Sequence, residues 1–251
     1  MHVNKLSDHV YYYTDTVTEE EYEYIMSVLK KEEGWERIYT GGLEYDPYMS
    51  PDDEVSHSIM NAYRKAFVTD DINLDDRFSY IINKVFYSAM NNYKKEKNIK
   101  GERKVNPYTH IDKHLVGTSY RSHVDTVAPG EDGNAPEGYT VLLYINDNYD
   151  GGEISFSFDV DYKYSTDFEN VDNYVFKQGP IPTYPPDSDK NKDKISFWVK
   201  PDKMSVLIFP PVIPPHPHTA HTVRGNVPKY IIKNYWEPNG KVEHWNEREY
   251  N

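Results

Sequence analysis

The sequence predicts one α+β domain over residues 1–251, mainly β, with a helical support region at 1–100 and a β core at 103–237. Three observations carry this expectation. Apolar residues recur at close to 3.6-residue spacing in the first hundred positions, and short apolar runs bounded by Gly, Pro, Asn and Asp fill the remainder. A length of 251 residues, with 37% hydrophobic and 15% aromatic content, is enough to bury one large core and too apolar for a disordered chain. Much of that apolar surface comes from 24 tyrosines, which pack through the ring and keep a polar tip.

Taken in order, Tyr11-Tyr12-Tyr13 reads as a half-buried edge strand. Thr18 and Glu21 form a capping box, and Tyr22, Ile25, Val28 and Leu29 share one face of the helix behind it, which ends near Gly34. Ser50-Pro51-Asp52-Asp53 starts a second helix, with a hydroxyl at the N-cap, proline at the first helical position and acids on the dipole. Its apolar face carries Val55, Ile59, Ala62, Tyr63 and Ala66. A third begins near Asn73 and shows Phe78, Ile81, Ile82, Val85, Phe86, Ala89, Met90 and Tyr93. The strands then follow as HLVGTSYRSHVD, YTVLLYIND, GGEISF, ISFWV, MSVLIFPP and KYIIKNYW, a series that suggests a sandwich or barrel. Asn148-Tyr149-Asp150-Gly151-Gly152 reads as a tight turn. Residues 157–199 exceed an ordinary hairpin connection, and the polar, proline-marked YPPDSDKNKDK within them reads as an inserted excursion, either a lid or a passive surface insertion.

Composition excludes several classes. Lys+Arg 28 against Asp+Glu 41 gives a net charge of −13, which argues against a broad phosphate-binding face and so against nucleic acid. With no cysteine there is no disulfide, thiolate metal site or cysteine nucleophile. No run approaches the roughly 20 apolar residues of a membrane helix, and MHVNKLSDHVYYYT has no signal-peptide apolar region. A cytoplasmic protein without membrane contact is expected. G-x-S-x-G, P-loop and Rossmann fingerprints are lacking.

The chemistry-bearing residues begin with His123-Val124-Asp125. On a strand, residues two apart share a face, so an imidazole and a carboxylate project together. A third ligand from a distant strand completes a facial triad with sites left open for co-substrate and dioxygen. Alone, the tripeptide is as easily a surface histidine beside an exposed acid. Its context is more specific: Gly117-Thr118-Ser119-Tyr120-Arg121-Ser122 precedes it, Thr140 to Asp147 and Gly151-Gly152-Glu153 follow, and Val206 to Pro210 leads to His216, His218 and His221 and then to Lys229, Tyr230 and Trp236.

In this order the pieces resemble the iron(II)/2-oxoglutarate-dependent dioxygenases, most closely the prolyl 4-hydroxylase-like branch, over roughly residues 110–236. Compact stand-alone members of this kind look like those carried by some bacteriophages. The resemblance implies a double-stranded β-helix (jelly roll) with flanking helices, iron(II), 2-oxoglutarate and dioxygen as cofactors, and ascorbate as reductant. It implies His123 and Asp125 as iron ligands and Lys229 as the partner of the distal carboxylate of 2-oxoglutarate. Thr140, Tyr144 and Tyr120 are further candidates for the 2-oxoglutarate site, although Tyr120 would face away from His123 on a regular strand. It also implies hydroxylation of a C–H bond with release of succinate and CO2, on a prolyl residue of a peptide or protein, or on a small molecule.

The third ligand stays open at this point. His218 puts Lys229 eleven positions on, one more than the pattern; His221 gives the local H-x-V but leaves Lys229 eight on; His216 is the outsider. His218 is preferred, since one extra residue is absorbed in the turn Gly225-Asn226-Val227-Pro228. Two other readings compete. His216, His218 and His221 alone mimic a three-histidine zinc hydrolase site, though without its acidic residue. A jelly roll can also serve as a structural or interaction protein without turnover.

Overall fold

The computed structural model describes residues 1–37, 62–68, 76–99, 103–105, 108–123, 125, 138–157, 180–210 and 216–238. Strands β1 (His2–Lys5) and β2 (Tyr11–Thr14) lead into helix α1 (Glu19–Lys31). Short β3 (Glu36–Arg37) and β4 (Ala62–Val68) precede the long α2 (Asp76–Glu96). The core strands follow: β5 (Arg103–Val105), β6 (Tyr108–His114), β7 (Tyr120–His123), β8 (Tyr139–Tyr144), β9 (Asp150–Gly151) and β10 (Ile154–Phe156). After the insertion come β11 (Phe197–Val199), β12 (Ser205–Phe209), β13 (His218–Ala220), β14 (Val223–Arg224) and β15 (Lys229–Pro238).

Among the described residues these make a larger sheet ordered β1-β2-β12-β8-β15-β6-β4-β3, with β5 also on β15, and a smaller one ordered β11-β10-β13-β7. All the pairings are antiparallel. From β6 onward the chain crosses repeatedly between the sheets, β6, β8, β12 and β15 in the larger and β7, β10, β11 and β13 in the smaller, with β9 and β14 paired as a separate two-stranded sheet; this is the double-stranded β-helix. Side-chain parity then separates two cores. Tyr11, Tyr13, Val141, Leu143, Val206, Ile208, Tyr230 and Ile232 turn to the helices, where they meet Ile25, Leu29, Phe78, Val85, Phe86 and Tyr93. Their neighbours Tyr12, Leu142, Tyr144, Leu207, Phe209 and Ile231 turn into the barrel against Ile154 and Phe156 of the smaller sheet. Because Thr140 shares the parity of Leu142, and Lys229 and Lys233 that of Ile231, all three are delivered to the barrel interior.

The capping box forms as expected: Thr18 Oγ1 accepts from Glu21 N at 3.2 Å, and Glu21 Oε2 accepts from Thr18 N at 2.9 Å. Glu21 also pairs with Lys84 and so ties α1 to α2. The first hundred residues are only partly helical, since β1 to β4 lie among them. Tyr11-Tyr12-Tyr13 is buried and is no edge: β1 flanks it on one side and β12 on the other. The helix expected from Ser50 falls mostly outside the described residues, but its far end, Ala62, Tyr63 and Ala66, is strand β4. There β6 supplies backbone partners from Ala62↔His114 to Val68↔Tyr108, and a completed ladder outweighs a helical spacing of apolar residues.

The described end of the insertion is sewn down. Asn191, fully buried, accepts from Ile181 N at 2.8 Å and donates to the carbonyls of Ile181, Tyr184 and Pro185 at 3.1, 3.2 and 3.1 Å. Thr222 N and Oγ1 both donate to Pro182 O, at 2.8 and 2.9 Å. The stretch that reads as a lid or a passive insertion in the sequence is here a wound turn docked on the barrel. No helix among the described residues is long and apolar enough to cross a membrane.

Candidate metal centre

His123 closes β7, Asp125 lies two residues beyond it, and His218 opens β13 directly opposite His123. The two imidazole centroids are 4.3 Å apart. Asp125 Oδ1 lies 3.6 Å from His123 Nε2, and Oδ2 lies 3.8 Å from His218 Nε2. One ligand atom from each residue falls within 4.8 Å of the others, a grouping that can hold a metal ion. His218 Nδ1 sits 3.0 Å from the carbonyl oxygen of His216. A carbonyl only accepts, so Nδ1 carries the hydrogen and Nε2 presents its lone pair to the site. Burial pushes the His218 imidazole down to about 3, which keeps it neutral, the form that can ligate a metal.

The carboxylate is held from both sides. Thr140 Oγ1 donates to Asp125 Oδ2 at 2.8 Å, and Lys233 Nζ donates to Oδ1 at 2.5 Å. Burial, the largest single effect, would raise the Asp125 carboxyl; the Lys233 ammonium and the His218 and His123 imidazoles together outweigh it and hold the acid well below its ordinary range. At Lys233 burial is again the largest effect and lowers the amine, but Asp125 and Tyr235, through charge and hydrogen bonds together, raise its pKa above the ordinary lysine value.

Deeper in the barrel, Lys229 is 2% exposed, and its hydrogen bond is to Gly152 O at 2.7 Å. Its ammonium lies 4.8 Å from the Tyr144 ring centroid and 5.7 Å from that of Tyr149. Burial, helped by the Lys200 cation, pushes the amine down to about 7. Tyr149 Oη is also buried, without a hydrogen-bond partner among the described residues. A carboxylate would satisfy both groups at once. The glycine pair leaves the room: a Cβ on Gly152, at φ +66°, would meet the Tyr149 ring at 2.7 Å and Lys229 Cδ at 3.4 Å. The residues therefore fit a metal ion with a dicarboxylate co-substrate, each end having its own partner.

Each candidate from the sequence now has a place. His123, Asp125 and His218 come together. His221 does not join them, because both ring nitrogens are engaged elsewhere, Nε2 at 2.8 Å from Ser155 Oγ and Nδ1 at 2.8 Å from Tyr184 O. His216 turns to His9, ring centroids 5.9 Å apart. Tyr144 lies beside Lys229, whereas the Thr140 hydroxyl serves Asp125. Tyr120 does not face away from His123: their rings meet edge-on at 4.3 Å. The register runs His218↔His123 but Ala220↔Tyr120, so β7 has one extra residue, and a bulge reverses the alternation. Lys233 and Tyr149 escaped the sequence reading. Lys233 had a usable signal, an even spacing from Lys229 on one strand. Tyr149 had none, since its direction is set by a turn.

No family model matches the sequence, and no curated protein matches it. Solved structures do match. A prolyl hydroxylase from Trichoplax adhaerens, in complex with a hypoxia inducible factor oxygen degradation domain peptide fragment, is 13% identical with a TM-score of 0.53, covering 94% of this chain and 86% of its own. HygX from Streptomyces hygroscopicus, with nickel and 2-oxoglutarate bound, is 10% identical with a TM-score of 0.54, covering 92% and 84%. A prolyl-4-hydroxylase from Pseudomonas putida is 11% identical with a TM-score of 0.50, covering 94% and 96%. The chain thus has the double-stranded β-helix fold seen in the 2-oxoglutarate- and iron(II)-dependent oxygenases.

Proposed function

We propose that this protein is a non-haem iron(II), 2-oxoglutarate-dependent dioxygenase that hydroxylates a C–H bond, its substrate a prolyl residue in a peptide or protein. The observation that carries the reading is one barrel interior holding both a His-Asp-His group and a buried lysine with no acid paired to it among the described residues. His123, Asp125 and His218 would hold iron(II), and Lys229 the distal carboxylate of 2-oxoglutarate. When bound, iron and 2-oxoglutarate supply the oxidation: dioxygen, 2-oxoglutarate and R–H become succinate, CO2 and R–OH.

The chain's own share is binding and orientation. Thr140 and Lys233 fix the rotamer of Asp125, and the His216 carbonyl fixes the tautomer of His218. Tyr144 and Tyr149 frame the Lys229 ammonium, and the Tyr149 hydroxyl can donate to the same carboxylate. Phe156, Phe209 and Leu207 line the interior and keep water from the reacting end. The peptide-bound hydroxylase among the similar structures supports the peptide substrate. HygX, which has also been solved with hygromycin B at a TM-score of 0.50, supports a small molecule as the second reading.

The test is metal content after anaerobic loading with iron(II), followed by succinate formation with ascorbate present and with proline-containing peptides. The wild type should hold one iron per chain, with Asp125→Ala and His218→Ala losing it and His221→Ala keeping most of it. Full iron content in Asp125→Ala would overturn the assignment. Loss with His216, His218 and His221 variants alike, alongside tolerance of His123→Ala, would favour the zinc hydrolase.

A further inference from the structure

Lys233 is a second lysine in the barrel, and the role proposed for Lys229 does not account for it. It leaves β15 on the same face as Lys229 but four residues closer to His123 and Asp125. Its ammonium shares Asp125 Oδ1 with His123 Nε2, at 2.5 and 3.6 Å. The ring of Tyr235 lies beneath it at 4.9 Å, and 31% of the side chain is exposed. Asp125 is the acid with which it pairs, and that acid is also the anionic member of the ligand group.

The charges can be added. Asp125 and Lys233 cancel, −1 + 1 = 0. A divalent ion takes this end of the site to +2, in a place where Asp125 is 3% exposed and little solvent screens the excess. A carboxylate arriving beside the ion brings it to +1. Without Lys233, the sequence would be −1, +1 and 0. The lysine therefore opposes the metal on its own and rewards the anion that follows.

Resting on the oxygenase reading, we propose that Lys233 sets the balance between the two binding events: it weakens the site for a divalent metal alone and strengthens it for the anionic 2-oxo acid once metal is present. The metal adds the same two charges with or without the lysine, so Lys233 shifts each affinity and leaves the reciprocal coupling between metal and anion as it is.

The experiment measures, on the purified chain, Mn(II) affinity without 2-oxoglutarate by the free-ion paramagnetic signal, and 2-oxoglutarate affinity of the Mn(II)-loaded chain by calorimetric titration. Lys233→Met removes the charge at similar volume, and Lys233→Arg keeps it. Lys233→Met should bind Mn(II) alone about tenfold more tightly than wild type, and once loaded should bind 2-oxoglutarate at least about fivefold more weakly. Lys233→Arg should behave as wild type. If Lys233→Met binds Mn(II) with unchanged or weaker affinity, or binds 2-oxoglutarate as tightly as wild type once loaded, Lys233 is only a brace for Asp125 and the proposal is wrong. Should Lys233→Met fail to fold by circular dichroism, Lys233→Gln replaces it under the same criteria. Asp125→Ala separates the two levels: undiminished Mn(II) binding there refutes the metal centre itself and the proposal with it.

Discussion

Lys229 and Lys233 leave one face of one strand, yet their surroundings give them opposite properties. Lys233 meets a buried carboxylate and stays charged. Lys229 meets tyrosine rings and one carbonyl, and burial pushes it down to about 7. Its unfolded value is 10.5, so between pH 7 and 10.5 the unfolded chain binds more protons and this lysine makes stability rise with pH. For a carboxylate ligand the sign is the reverse, because only the ammonium binds well. We expect the 2-oxoglutarate half-saturation of the wild type to climb as pH rises above about 7, by up to about tenfold per unit. Lys229→Met should retain metal, need at least about a hundredfold more 2-oxoglutarate and lose that pH dependence, since breaking a buried charged pair costs about 3–5 kcal/mol. Calorimetric titration with a non-redox metal at several pH values checks this; an unchanged, pH-dependent affinity in Lys229→Met would remove the residue from the site.

At the scale of elements, short strands carry the site and turns aim it. The bulge in β7 brings Tyr120 against His123, and the paired left-handed glycines between β9 and β10 let Tyr149 and Lys229 approach. A Cβ on Gly151 would lie 2.2 Å from Thr222 O, which only backbone displacement could relieve. The 180–194 turn is held mainly by one residue. Asn191→Ala removes four hydrogen bonds and takes the acceptor away from the buried Ile181 N–H, at a cost of about 2–4 kcal/mol. Urea unfolding should show that loss as a lower midpoint at unchanged slope, while the folded variant still binds Mn(II). A midpoint equal to wild type would mean that the turn contributes nothing to the barrel. His221, with both nitrogens tied to Ser155 and Tyr184, belongs to this fastening, which is why it is unavailable to a metal.

At the scale of the whole molecule, the larger sheet separates a structural core from a working one. Its outer face is packed by α1 and α2 and does the folding; its inner face closes with the smaller sheet around the candidate site. Ligands that bind only the folded barrel must stabilise the whole. With Mn(II) and 2-oxoglutarate each at a hundredfold excess over Kd, the gain per ligand is about 2.7 kcal/mol, or a Tm rise of roughly 5–10 °C for a chain of this length. Differential scanning calorimetry should show the rise in wild type and its disappearance in Asp125→Ala. An equal rise in that variant would place the ligands elsewhere.

How much of this was written in the sequence follows from which physics is local. The capping box, the face of α2 and the alternation along β8, β12 and β15 depend on neighbours within a few positions, and all are legible in the chain. The pairing of His123 with Asp125 was read from strand parity, and the two do meet, although β7 ends at His123 and Asp125 lies beyond it. The strand at Ala62–Val68 was not legible, because its partner β6 lies some forty residues away and overrode a helical spacing. The choice among His216, His218 and His221 was likewise beyond counting residues. Spacing to Lys229 favoured His218, but what excludes His221 is a serine on β10 and a carbonyl in the docked turn. Lys233 shows the limit most clearly. Its position on the inner face follows from parity with Lys229, whereas its partner, the buried Asp125 just beyond the end of β7, meets it only once the barrel has closed.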